Sequence, residues 1–182
     1  SNDKASVKTI EHDYFVSTSF EERSIALATN SGRLWGTTIQ AAKDEGILIH
    51  DIMAEIDSAR DVNTVIKRFI HNGRVASSRK EELSEKINAI VTHSQLSEYF
   101  LEEGKNFNER DMVSANQEIL RPDRINFLPN NEAVVIDYKT GLFNEANEKQ
   151  IHSYASALNE MGYHVTKRLL VYTNDTIEIK NV

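Results

Sequence analysis

The apolar residues of this chain change their period at Gly104, and that change restricts the possible folds more than any other feature of the sequence. From about residue 32 to residue 103 they recur at helical spacing; beyond Gly104 they alternate as in strands. Ile47, Leu48, Ile49, Ile52, Met53 and Ile56 follow Gly46 closely enough to clothe most of a helix, which places that helix in a buried position. Asp61 is placed to cap a second helix that stops near Gly73. Ser77 or Ser78 is placed to cap a third, whose stripe is Leu83, Ile87, Ile90 and Val91. Residues 94–103 read as a fourth helix. After Gly104, residues 107–113, 118–128 and 133–139 read as strands, with Pro129-Asn130-Asn131 as the turn between the last two. Residues 145–161 return to helical spacing and stop at Gly162, a suitable left-handed cap. Residues 163–173 and 177–180 complete the chain as strands. Helices, a three-stranded meander, a crossover helix and a further strand make an α/β or α+β single domain.

Composition agrees with one soluble domain. The 182 residues are 40% hydrophobic and 27% charged, and Gly and Pro number only 7 and 2, so connections should be short. The absence of Cys excludes disulfide scaffolds, thiolate zinc sites, iron–sulfur clusters and cysteine nucleophiles. No apolar run approaches the ~18 residues that span a bilayer, so no membrane partner is expected. Ser1-Asn2-Asp3-Lys4 has neither an initiator Met nor signal-peptide order, and reads as a cloning boundary in a piece of something longer.

The chemistry concentrates in Arg121-Pro122-Asp123-Arg124 and Val135-Ile136-Asp137-Tyr138-Lys139. Strand alternation points Asp137 and Lys139 one way and Tyr138 the other. With the hairpin centred on Asn130, Asp123 and Asp137 are each seven residues away and stand opposite one another. Two opposed carboxylates repel unless a cation lies between them, and hard oxygen ligands favour Mg²⁺ or Mn²⁺. Lys139 then stands beside the ion. A one-residue slip would send Asp123 to the other face. The competing reading is a cross-strand ion pair of Asp123 with Lys139 and no metal. His50 shares a helix face with Gly46, Met53, Ala54 and Asp57; a lone His in apolar company is ordinarily a hydrogen-bonded core residue. Gln150 and Tyr154 stack one turn apart beside a core stripe of Ile151, Leu158 and Met161. Glu109 is a third carboxylate near this region.

The chain carries a formal charge of −7, where an autonomous DNA binder would usually be basic. The local pairs Lys67-Arg68, Arg79-Lys80, Arg121 with Arg124, and Lys167-Arg168 read equally well as solvated faces.

Gly46-Ile47-Leu48-Ile49-His50, Arg121-Pro122-Asp123-Arg124, Asp137-Tyr138-Lys139 and Gln150-Ile151-His152-Ser153-Tyr154 occur in the order and spacing of the RecB-like branch of PD-(D/E)xK nucleases. From about Gly46 to Thr173 the chain resembles the nuclease domain at the C-terminus of UvrD/Rep-type, AddA-like helicase–nucleases. The resemblance implies a restriction-endonuclease-like core over residues 46–182, a central mixed sheet with a meander and crossover helix, preceded by an N-terminal helical segment of unassigned role at residues 1–45. It implies a DNA exonuclease of the cytoplasm, working with a helicase in end processing and recombinational repair. His50, Asp123, Asp137 and the Tyr138 carbonyl would ligate Mg²⁺ or Mn²⁺, and Lys139 would position or activate the attacking water. Gln150 and Tyr154 would contact DNA, with Glu109 in support. The alternative is a non-catalytic module of the same fold that binds DNA or docks a helicase.

Overall fold

The computed structural model describes residues 37–182; the expectation for the N-terminal segment lies, up to residue 36, outside the described residues. Helix α1 (Thr37–Ala54) is followed by α2 (Val62–His71) and α3 (Lys80–Val91). Strands β1 (Lys105–Asn108), β4 (Arg124–Phe127) and β5 (Glu132–Lys139) then form an antiparallel meander. Helix α4 (Glu145–Glu160) crosses over to β6 (His164–Thr173), which runs parallel to β5, and β7 (Ile177–Asn181) closes the sheet at the far edge. The five-stranded mixed sheet has the order β1-β4-β5-β6-β7. A separate ribbon pairs β2 (Met112–Val113) with β3 (Ile119–Leu120).

Strand alternation divides the core into two layers. Val134, Ile136 and Tyr138 of β5 pack with Ile49, Ile52, Val65, Leu83 and Ile87 of the helical layer. Ala133 and Val135 pack instead with Ile151, Tyr154 and Leu158 of α4. Residues 133–138 of β5 are all buried, as a central strand covered on both faces requires. Each fully buried Val or Ile here contributes about 1.5–3 kcal/mol, so β5 gives a site at its end a well-packed support.

The helices depart from expectation in five ways. The helix expected to follow Gly46 begins at Thr37 and runs through that glycine. Gly46 is needed where it lies, because a Cβ there would come within 2.8 Å of Thr140 Cγ2, just past the end of β5. Ile47, counted among the buried face, is 60% exposed. The fourth helix is a single 3-10 turn, Ser97–Phe100. Asp61 does occupy the cap position of α2, but its carboxylate turns back to accept from the Ser58 N–H at 2.7 Å. Neither Ser77 nor Ser78 caps α3, whose cap position is taken by Arg79.

The strands expected at 107–113 and 118–128 are both interrupted. Glu109, at φ +45°, turns the first out of the sheet after Asn108. Pro122 breaks the second, since it lacks an N–H and confines Arg121 to extended conformations. The turn and final helix follow expectation. Asn130 and Asn131 adopt left-handed φ of 60° and 59°, which Asn tolerates better than most residues. Asn144 caps α4 by accepting from the Asn147 N–H at 3.0 Å, and Gly162 ends it at φ +90°. Among the described residues no helix is long and apolar enough to cross a membrane.

Candidate active site

The β4–β5 ladder sets the site. Arg124 faces Ile136 and Ile125 faces Val135, so the same register, extended by one step, sets Asp123 against Asp137. Asp123 lies just beyond the start of β4, where its carboxylate replaces the missing ladder bond by accepting from the Tyr138 N–H at 2.6 Å. Tyr138 contributes main chain on both sides: its carbonyl oxygen is 2.7 Å from His50 Nε2. Its ring packs edge-on to His50 within the helical layer, and its buried hydroxyl has no hydrogen-bond partner.

His50 reaches this point because α1 lies close to the end of β5 at the Gly46–Thr140 contact, one helical turn earlier. If Nε2 carries the proton donated to the Tyr138 carbonyl, Nδ1 is an acceptor. It lies 3.5 Å from Asp123 Oδ2, itself an acceptor. Two acceptors facing one another are repulsive without a proton or cation between them. Glu109 completes the cluster. One ligand atom from each of His50, Glu109 and Asp123 lies within 4.8 Å of the others. Ligands on opposite sides of a Mg²⁺ ion are about 4.2 Å apart, so this donor set of one imidazole and two carboxylates fits a small hard cation. Glu109 is held there in a backbone conformation that costs a non-glycine residue about 1–3 kcal/mol. Its N–H is tied to the Asp123 carbonyl at 3.0 Å.

Asp137, Lys139, Gln150 and Tyr154 form a second row on the α4 side. Lys139 Nζ lies 2.6 Å from Asp137 Oδ2 and donates to Gln150 Oε1 at 2.9 Å. Gln150 Nε2 in turn donates to the Tyr154 hydroxyl at 2.7 Å. The ammonium approaches Asp137 out of hydrogen-bonding alignment, so neither carboxylate oxygen of this 1%-exposed residue has an aligned donor. Lysine therefore pairs along its own strand with Asp137, not across it with Asp123 as the ion-pair reading required.

The electrostatics follow from burial. Asp123 is held well above the usual carboxylate range, first by burial and then by the charge of Asp137. Burial also raises Asp137, against the opposing pull of Lys139. Tyr154 is pushed up to about 12 by burial and by both carboxylates, so it keeps its proton at neutral pH. A pocket in which two acids resist ionisation attracts a cation in place of protons.

All eight residues singled out in the sequence thus meet at the open end of β5: His50, Glu109, Asp123 and the Tyr138 main chain in one row, Asp137, Lys139, Gln150 and Tyr154 in the other. Two participants were not legible. Thr140 receives α1, and no motif marked it. Arg124, read as one of a basic surface pair, is 1% exposed and donates to the carbonyls of Ile56, Asp57 and Tyr99. Lys67-Arg68 does face solvent, Arg79-Lys80 and Lys167-Arg168 are half-buried, and Arg68, Arg79 and Lys167 are each engaged by acids.

A scan of the chain against protein-family models finds no match, and neither does a search of curated proteins.

Proposed function

We propose that this chain carries a divalent-metal-dependent deoxyribonuclease site of the RecB-like PD-(D/E)xK type, on a restriction-endonuclease-like core. One observation carries the reading: His50, Glu109 and Asp123 place ligand atoms within 4.8 Å of one another beside a buried Asp137 whose oxygens lack aligned donors. The mixed sheet, its meander and its crossover helix support the fold assignment. Mg²⁺ or Mn²⁺ bound by His50, Asp123, Asp137 and the Tyr138 carbonyl, with Glu109 as an added carboxylate, would supply Lewis-acid charge for phosphodiester hydrolysis. Lys139, steered by Asp137 and Gln150, brings a positive charge to the phosphate as negative charge builds there. Tyr154, protonated and hydrogen-bonded to Gln150, keeps that amide's oxygen directed at Lys139. The Tyr138 main chain fixes Asp123 and His50 relative to each other, so the acids are placed before substrate arrives.

With a charge of −7, the domain relies on a helicase neighbour, in a cytoplasmic repair complex, for most of its hold on DNA, and the isolated chain binds weakly and with strong salt dependence. The test pairs Mn²⁺ calorimetry with a strand-cleavage assay in Mn²⁺ and Mg²⁺. Wild type binds the ion and cuts, whereas Asp123→Ala, Asp137→Ala and Lys139→Ala keep the fold and lose cleavage by at least about 10²-fold. Cleavage that survives all three substitutions overturns the site. No Mn²⁺ binding in the millimolar range turns the reading to a helicase-docking module.

A further inference from the structure

Two large aliphatic side chains stand in solvent beside this polar site. Leu142 is 89% exposed and Ile47 is 60% exposed. Single exposed aliphatics are ordinary on any surface, so exposure alone assigns them nothing. Their placement is more informative. Ile47 is one helical turn before His50, at most about 5 Å along α1. Leu142 is three residues beyond Lys139, within about 11 Å even of fully extended chain. Gly46 and Thr140, whose contact leaves no room for a Cβ, adjoin Ile47 on one side and approach Leu142 on the other.

The loop that presents Leu142 is built, not slack. Gly141, at φ +85°, donates its N–H to Asn174 Oδ1 and accepts at its carbonyl from Asn174 Nδ2, both at 2.9 Å. A side-chain amide thereby imitates a strand neighbour and fixes the turn. Phe143, on the other side of the tip, lies 6.5 Å from the Tyr172 ring and carries Lys180 Nζ 4.2 Å over its face. The tip is held from both sides while Leu142 itself touches solvent.

We propose that Ile47 and Leu142 form an apolar rim that receives the nucleobase adjoining the phosphodiester that Lys139 meets. This rests on the nuclease reading above and gives that site a base contact. A base presents a flat face with little hydration and packs on apolar groups whatever its identity, so the rim adds grip without sequence preference. Lys139 and Lys180, on either side of the loop, suit the phosphates of the same strand. A paired base, stacked on both faces within a duplex, cannot use the rim; an unpaired one can.

The experiment compares, in Mn²⁺, cleavage by the full chain of an oligothymidylate and of an abasic strand of equal length, with bis(p-nitrophenyl) phosphate as a substrate that has no base. Wild type should cut the thymidylate at least about fivefold faster than the abasic strand, the low end of a single base contact. Leu142→Asp and Ile47→Asp, and the milder Leu142→Ala, should each move that ratio towards one. A wild-type ratio near one, or variants that keep the wild-type ratio, overturn the rim while leaving the nuclease reading in place. Wild type that hydrolyses neither strand nor the small diester defeats the nuclease reading, and the rim falls with it.

Discussion

Asp123 and Arg124 are neighbours in sequence and both are shielded from solvent, yet their polar atoms meet opposite circumstances. Arg124 has five N–H donors and five hydrogen bonds: Nε to Asn126 Oδ1, Nη1 to the Ile56 carbonyl and Asn108 Oδ1, and Nη2 to the Asp57 and Tyr99 carbonyls. Its guanidinium also lies 4.2 Å over the Phe100 ring. Nothing is left for a ligand. On the other face of the same strand pair, Asp123 and Asp137 bring four carboxylate oxygens together, and the buried Asp137 has the Lys139 ammonium beside it at 2.6 Å but out of alignment. A closed set of partners around a buried charge marks scaffold; an open set marks a place the fold has kept for something else.

The difference is testable first on the closed side. Arg124→Met removes five donors, strands the Asp57 carbonyl beyond the end of α1, and leaves the Ile56 and Tyr99 carbonyls only the amides of Asn108 and Asn126. It should cost about 3–5 kcal/mol in urea unfolding, as breaking a buried charged network does. Arg124→Lys should recover little of this, because an ammonium cannot reach five acceptors in a plane. If Arg124→Met unfolds within about 1 kcal/mol of wild type, the network is not closed in solution and the contrast with Asp123 collapses.

The open side should respond with the opposite sign. The Asp123 carboxyl is raised above its ordinary value of 3.8 by burial and by Asp137. The folded state therefore holds a proton that the unfolded chain has already released, and stability falls as pH rises through that interval. Asp123→Asn, whose amide oxygen can still accept from the Tyr138 N–H, removes this dependence. In chelator it should match wild type below about pH 4 and exceed it increasingly towards neutrality. Mn²⁺ should reverse the order by stabilising wild type alone. Thermal melts across pH, with and without Mn²⁺, read both effects. An Asp123→Asn variant less stable than wild type at pH 7 in chelator would show that the pocket is already balanced without an ion.

The same contrast explains what the sequence disclosed. The Asp123–Asp137 pairing was legible because strand alternation and a hairpin centre at Asn130 fix it from spacing alone, and the β4–β5 register has that centre. The order of helices, meander, crossover helix and closing strands was legible for the same reason, since apolar period survives tertiary packing. Arg124 was not legible. An arginine in an alternating strand looks solvated until the carbonyls that enclose it are known, and those come from residues 56, 57 and 99. The conformation of Glu109 was hidden differently: no local signal marks a glutamate that takes a left-handed backbone, so the strand expected through it ran five residues beyond Asn108. The breadth of α1 was missed because a glycine inside a helix reads as its start, when here it answers to a neighbour distant in sequence.

That neighbour gives the smallest and most specific effect. Gly46→Ala gains about 0.8–1 kcal/mol of helix propensity, but its Cβ would meet Thr140 Cγ2 at 2.8 Å and Oγ1 at 2.9 Å. Threonine side-chain atoms move more cheaply than backbone, so the two effects should nearly cancel, leaving stability within about 0.5 kcal/mol of wild type. The position of α1 does not cancel. Relief of the crowding shifts the helix by a few tenths of an ångström away from β5 and takes His50 with it, so Mn²⁺ affinity should fall about threefold to tenfold while the melt hardly changes. Thr140→Ala removes both crowding atoms and leaves only a Cβ 3.4 Å from the introduced methyl. The Gly46→Ala, Thr140→Ala double variant should therefore regain the affinity lost by the first change, a coupling read by calorimetry on the four proteins of the cycle. Additive losses would mean that Gly46 serves the helix alone and that the distance between α1 and β5 does not set the position of the imidazole.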